Sequence, residues 1–418
     1  MITTAAQKLP KEFYWLTAAR LTSTFGMFLN MMVVNIFVLE LTGSAMWVGW
    51  LMAVRIISGM LFSPYIGQLA DKMNRKTLMV VSDFILAFFI FITIFIPTSV
   101  VNYYFIWAML IIGVFSSAVD ITLSAAVPSI LHSGNTIKAN SILMGGRNIV
   151  IALAGLSSVF IKEIFSSYNT VFIVNALAYL ASGFIIFSLK IKMNEANTQK
   201  PAVKQEKKGF FKTMKEDYKD VFLLPNFKVI ALMIFILTLD GLASGSHNVG
   251  WPIFSQGLNS KNPFFIYGFI QAFWGLGNII GIFWLTKSSL AKKLRAENLY
   301  LICTAIMSLG MIMTVQSTLS VVIFTAACFA GFGDGAYQTF FNTYLQASPD
   351  NVRGKLFGLS STFLRTGFGA SFIIMPFLFN AFSVSKVLLY SHGPLVIISL
   401  IFLTSLNAGS KQKTGAKN

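Results

Sequence analysis

The stretch GQLADKMNRK, Gly67 to Lys76, packs one acid and three bases into ten residues. Apolar runs of twenty or more residues with very few charges flank it on both sides. The same imbalance runs through the whole chain. Of its 418 residues, 55% are apolar and 11% charged, and mean hydropathy is +0.71. A soluble globular domain is about 25% charged. A chain this apolar cannot hide its surface from water, so lipid is the solvent for much of it. The formal net charge of +17 raises nucleic acid as a partner. The bases, however, sit in short loops and not in one stripe, which excludes that reading.

Working outward from the loop, runs long enough to cross a ~30 Å hydrocarbon core fall at 13–39, 46–69, 77–97, 102–126, 137–161, 169–190, 227–252, 264–286, 297–316, 319–345, 356–379 and 386–407. They are longer than barrel strands, and helices satisfy their own backbone groups in lipid. The expected fold is therefore an all-α membrane protein with twelve transmembrane helices. The first run is too long for a cleaved signal segment.

Charge placement orients the chain. With the N-terminus inside, one set of loops and ends holds Lys8, Lys11, Lys72, Arg75, Lys76, Lys138, the lysines from Lys190 to Lys219, the Lys287–Arg295 cluster, Arg353, Lys355 and the C-terminal lysines. The other set holds Lys162, Lys261 and Lys386. This bias predicts a multi-pass protein of the cell membrane with both termini cytoplasmic. The net charge then serves as a topology signal, with weak attraction to anionic lipid.

The longest polar stretch, 191–226, divides the spans six and six. It opens with MNEANTQKPAVKQEKK, read as a flexible linker. In GFFKTMKEDYKDVFLLP, Phe210, Phe211, Met214, Tyr218, Val221 and Phe222 recur at helical spacing, which predicts an amphipathic helix on the cytoplasmic membrane face. The expected organisation is a six-helix half at 1–190, the linker at 191–226 and a second half at 227–418. Equal halves suggest an internal duplication. Asp120 in GVFSSAVDITLSAAVP is echoed by Asp334 in GFGDGAYQTFFNTYLQ. Each precedes a short basic loop and a span with an internal arginine, Arg147 or Arg365.

The opening loop resembles the signature of the major facilitator superfamily, G-x-L-A-D-R/K-x-G-R-R/K, through Gly67, Leu69, Ala70, Asp71, Lys72, Arg75 and Lys76. Asn74 stands where glycine is usual, as a residue that tolerates a left-handed turn. The resemblance covers the whole chain and implies two six-helix halves, with spans 1, 4, 7 and 10 lining a cavity bordered by spans 5 and 11. It also implies a loop that latches the cytoplasmic side shut; a solvated topology anchor is the alternative. In that latch Gly67 lets span 2 approach a neighbour, and Asp71 pairs with Arg75 or faces a helix N-terminus. The flanking text, with LTGSA at 41–45, Ser82-Asp83 and the KANSILMGGRN stretch, is similar to the macrolide-efflux and siderophore-exporter branch of drug:proton antiporters. That resemblance adds Asp83 to the gate. Gly26-Met27 departs from the branch, which often has Gly-Asp there, and Gly155 lacks the proline of the exporter motif.

An ionisable residue at mid-membrane costs about 2.5–3.5 kcal/mol on insertion scales, so each one is a functional candidate. These are Arg20, Arg55, Asp120, Arg147, Asp240, His247, Asp334 and Arg365. Asp240, Asp334 and Asp120 are the candidates for proton coupling. Arg365, Arg147, Arg20 and Asp334 are the candidates for holding substrate, with Tyr337 and Phe341, four apart on span 10, as its walls or as core. Structural alternatives are a snorkelling Arg20, an anchoring Arg55, a mouth histidine at His247, an Asp120–Arg147 ion pair, and Asp334 compensating Arg365. Trp47, Trp50, Trp107 and Trp251 read as interface anchors, Gly393-Pro394 as a kink, and Cys303 and Cys328 as inert core thiols.

No nucleotide-binding glycine loop occurs, and His132, His247 and His392 form no metal pattern. A cofactor and an enzymatic activity are therefore not expected. The expected function is proton-coupled export of a small molecule by alternating access, from a monomer in the bilayer. Charges of both signs point to a zwitterionic or carboxylate-bearing substrate such as a siderophore-like metallophore. Alternatives are multidrug or macrolide efflux, uptake, lipid flipping, or sensing without flux.

Overall fold

The computed structural model describes residues 9–131, 136–165, 167–190, 219–288 and 293–415. Among them there are twelve helices long and apolar enough to cross a membrane, and no strand. They are α1 (Lys11–Thr42), α2 (Ala45–Lys72), α3 (Arg75–Ile92), α4 (Val101–Leu131), α5 (Thr136–Phe165), α6 (Tyr168–Ser188), α7 (Phe227–Leu258), α8 (Pro263–Lys287), α9 (Ala296–Thr314), α10 (Ser320–Gln346), α11 (Asp350–Ala381) and α12 (Val384–Gly415). Pro64, Pro252, Pro376 and Pro394 all lie inside helices, as membrane helices tolerate where neighbours satisfy the freed groups. The linker and most of the expected amphipathic helix, 191–218, lie outside the described residues. The last turn of that helix, Lys219–Phe222, is helical with Val221 buried.

Local chemistry sets the helix ends. Gly43 takes a left-handed φ of 64° and its N–H closes on Leu39 O at 2.8 Å, a glycine stop for α1. Asn74, which could tolerate a left-handed turn, does not take one. Its φ of −64° and ψ of 116° are extended, and its side chain caps α3 by accepting from Lys76 N at 2.9 Å and Thr77 N at 3.4 Å. An N-cap asparagine satisfies N–H groups that have no helical partner. Asn74→Ala is expected to lower stability by about 1 kcal/mol, read as a lower melting temperature of the purified protein.

The chain divides into two compact units, residues 1–199 with 255–272 and residues 200–254 with 273–418. In the first, α1 packs on α5 and α6, α2 on α4, and α3 on α4 and α6. In the second, α9 packs on α10 and α12, repeating the place of α3 six helices later. Close glycine contacts repeat as well. A Cβ on Gly113 of α4 would stand 2.0 Å from Arg55 O of α2, and one on Gly331 of α10 would stand 1.9 Å from Trp274 O of α8. Helix pairs with small residues at the seam approach backbone to backbone, which is how association is driven where lipid supplies no hydrophobic force. Gly67 is not such a seam: among the described residues a Cβ there meets nothing within 4 Å.

Trp50 and Trp107 are exposed, 44% and 68%. Trp251 is not an anchor. It is 1% exposed, and its ring lies tilted against that of His247, one turn earlier on α7, at 5.1 Å. Cys303 is buried and Cys328 half-buried.

Candidate functional site: two buried acid clusters

The signature loop pins helix ends within the first unit. Arg75 is buried and its Nη1 donates to Ala125 O of α4 at 2.9 Å. Lys76 Nζ donates to Leu189 O at the end of α6 at 2.6 Å and lies over the Phe187 ring. Lys72 is exposed, and the side chain of Asp71 lies outside the described residues. Asp83 stands apart from this loop, two turns into α3 and fully buried. Its Oδ2 accepts from Ser182 Oγ of α6 at 2.6 Å and its Oδ1 from Ser23 Oγ of α1 at 3.3 Å.

Arg20 does not snorkel. It forms an ion pair with Asp120 across α1 and α4, so the alternative of an Asp120–Arg147 pair is not what the structure shows. The pair is asymmetric: the Arg20 side chain is 15% exposed and that of Asp120 54%. Arg147 is exposed on α5, with its guanidinium over the Phe28 ring at 5.9 Å. Arg55 is not a simple anchor either. It lies within the electrostatic reach of Asp120 and of Tyr179 on α6. Tyr179 is buried, and its hydroxyl has no hydrogen-bond partner among the described residues. Nothing in the sequence around Arg55 or Tyr179 marks them as neighbours, since α2 and α6 are both apolar nearly all round.

The second unit holds the other cluster. Asp240 on α7 and Asp334 on α10 are each 6% exposed, and the charge of Asp334 is felt at Asp240. Tyr337 Oη donates to Asp240 Oδ2 at 2.5 Å. Asp334 accepts from Gln338 Nε2 at 2.6 Å and from Asn278 Nδ2 of α8 at 3.3 Å. Among the described residues no cation forms an ion pair with Asp240. Tyr337 and Phe341 are both buried, and each packs its ring on Tyr300 of α9. Tyr300 in turn donates to Met233 O at 2.8 Å. Asn278, Gln338 and Tyr300 were not legible as members, because neutral polar residues in an apolar helix carry no sign of which neighbour they meet.

Asp334 does not compensate Arg365. Arg365 is exposed on α11 and makes no ion pair or hydrogen bond among the described residues. Two of the three histidines, far apart in sequence, come together. His247 Nδ1 lies 3.3 Å from His392 Nε2 of α12, with the rings stacked. His132 lies outside the described residues.

Among solved structures, a variant of the nucleoside transporter NupG matches with a TM-score of 0.71 at 12% identity, over 94% of this chain and 99% of that one. A bacterial homologue of the human lysosomal transporter Spinster, in an inward-facing and unoccupied conformation, matches at 0.67 and 12%, over 95% and 96%. At such identities the likeness is one of fold. No curated protein matches the chain in sequence. Residues 16–372 match the family model described as Major Facilitator Superfamily, and with most of its length inside that match, the chain belongs to the Major Facilitator Superfamily.

Proposed function

We propose that this transporter is a proton-coupled exporter of a small polar molecule, zwitterionic or carboxylate-bearing, with both termini in the cytoplasm. The observation that carries proton coupling is Asp240. A carboxylate this buried, with a phenol for its partner and a second acid beside it, is costly to keep charged. It is inexpensive to cycle between charged and neutral, and such a cycle is what coupling requires. The exposed Arg365 supports an anionic group on the substrate, since the fork of donors matches a carboxylate. The repeated packing of α3 and α9 supports two six-helix halves joined by the 191–226 linker as the working parts.

The test is transport in vesicles reconstituted with the full chain, under an imposed proton gradient, with a panel of carboxylate-bearing metallophores and greasy cationic drugs. Gradient-driven movement of the acids supports the reading. Movement of the cations alone makes the chain a multidrug pump, and movement without a gradient removes the coupling. Arg365→Lys keeps the charge and loses the fork. It is expected to fold normally and to weaken binding of a carboxylate substrate about tenfold for each 1.4 kcal/mol lost. An esterified analogue should show little difference between the two variants. Equal affinity of both variants for the free acid would remove Arg365 from the substrate site.

A further inference from the structure

We propose that Asp83 is a proton-binding site of the first unit, and that its occupancy is set by whether Arg20 faces Asp120 or Asp83. The geometry around Asp83 is unlike that of an ion-paired acid. Both of its hydrogen-bond partners are serine hydroxyls, Ser23 on α1 and Ser182 on α6. Among the described residues no cation lies within ion-pair distance of it. Two neutral hydroxyls do not offset the cost of a fully buried carboxylate, which runs to several kcal/mol. They do serve both protonation states. A serine hydroxyl donates or accepts, so the ionised group takes two donors while the protonated group takes one and gives one. No heavy atom has to move between the two states.

The control lies one helical turn away. Arg20 precedes Ser23 by three residues on α1, so the two share a face, and Arg20 is the cation whose field reaches Asp83. Arg20 is now held by Asp120. The other titratable groups around Asp83 are Tyr179 on α6 and, on its own helix, Arg75, which is turned to Ala125 O. Arg55 on α2 bears on Asp120 and Tyr179. One cation is thus shared between a half-exposed acid and a buried one. Anything that neutralises Asp120, whether a proton or a cationic group of the substrate, frees Arg20 for Asp83 and expels the Asp83 proton. The role in transport rests on the proton-coupled reading of the family fold; the titration of Asp83 does not.

Infrared spectra of the purified full chain in lipid, from mildly acidic to mildly alkaline pH, test this without knowledge of the substrate. A protonated carboxyl has its own carbonyl stretch, and the Asp240→Asn/Asp334→Asn background silences the acids of the second unit. A stretch that titrates and disappears in Asp83→Asn is expected. Arg20→Gln should let it persist to higher pH, and Asp120→Asn should make it vanish at lower pH, each by about 1–3 pH units. Opposite shifts in these two variants carry the proposal even if Asp83→Asn fails to fold. Shifts of the same sign, no shift, or a stretch that survives Asp83→Asn would overturn it. If the shifts appear but no gradient-driven flux is found, the proton site stands and the coupled-transport reading falls.

Discussion

Asp240→Asn is expected to abolish gradient-driven transport while leaving energy-independent exchange of substrate in place. The carboxylate is 6% exposed and bonded to Tyr337 at 2.5 Å, so an amide of the same shape keeps the contact through its carbonyl oxygen. What it loses is the ability to take up and release a proton. An acid at this depth costs about 2.5–3.5 kcal/mol to hold charged, and that cost drives its neutralisation in one state of the cycle. A permanently neutral residue cannot pass through both states, and movement against a gradient stops. Exchange, which needs no net proton transfer, continues. Removing a buried charge should also leave the melting temperature unchanged or raise it. Flux in reconstituted vesicles with an entrapped pH-sensitive dye, beside a thermal melt, reads both. Uphill movement in the variant at the wild-type rate would falsify the coupling role, and Asp334 and Asp120 would be the next acids to test.

Gly331→Val is expected to prevent assembly of the second unit. A single Cβ at this position already falls 1.9 Å from Trp274 O and 2.8 Å from Trp274 C. Both are backbone atoms and cannot rotate away as a side chain would. Across the same seam a Cβ on Gly277 would meet Cys328 O at 2.0 Å. α8 and α10 would have to separate by more than an atom's radius, which opens a gap along the whole contact. Overpacking a tight core costs about 1–3 kcal/mol and sometimes more, and the upper end applies where backbone opposes the new group. Size-exclusion profiles of detergent-solubilised protein should show aggregate in place of a monodisperse peak. Gly67→Ala is the control: among the described residues a Cβ there meets nothing within 4 Å, and the profile should not change. A normal peak and melt for Gly331→Val would mean the α8–α10 contact is not tight.

Much of this was legible before any coordinates. Bilayer thickness sets the length of a span, and the backbone must close its own hydrogen bonds within it. Hydropathy alone therefore located twelve helices, and the loop from Gly67 to Lys76 pointed to the family. Buried ionisable residues are costly enough to stand out singly, so Asp120, Asp240 and Asp334 were visible as candidates one by one. Their partners were not. Asp120 meets Arg20 and not Arg147, Asp334 meets Asn278 and Gln338 and not Arg365, and Trp251 is buried against His247. The reason lies in the solvent. A helix in water shows an apolar stripe that says which face is buried. A helix in lipid is apolar on the lipid face and on the packed face alike, so its sequence holds no record of its rotation. Each residue turns the helix by about 100°, and only tertiary packing decides which side chain meets which. Asn74 is the reverse case: its sequence place allowed a left-handed turn, but the two open N–H groups at the start of α3 drew it into a cap. The sequence by itself determined the number and length of the helices and the acids among them; the packing of those helices decided that Arg20 pairs with Asp120 and that Asp240 has a phenol for a partner.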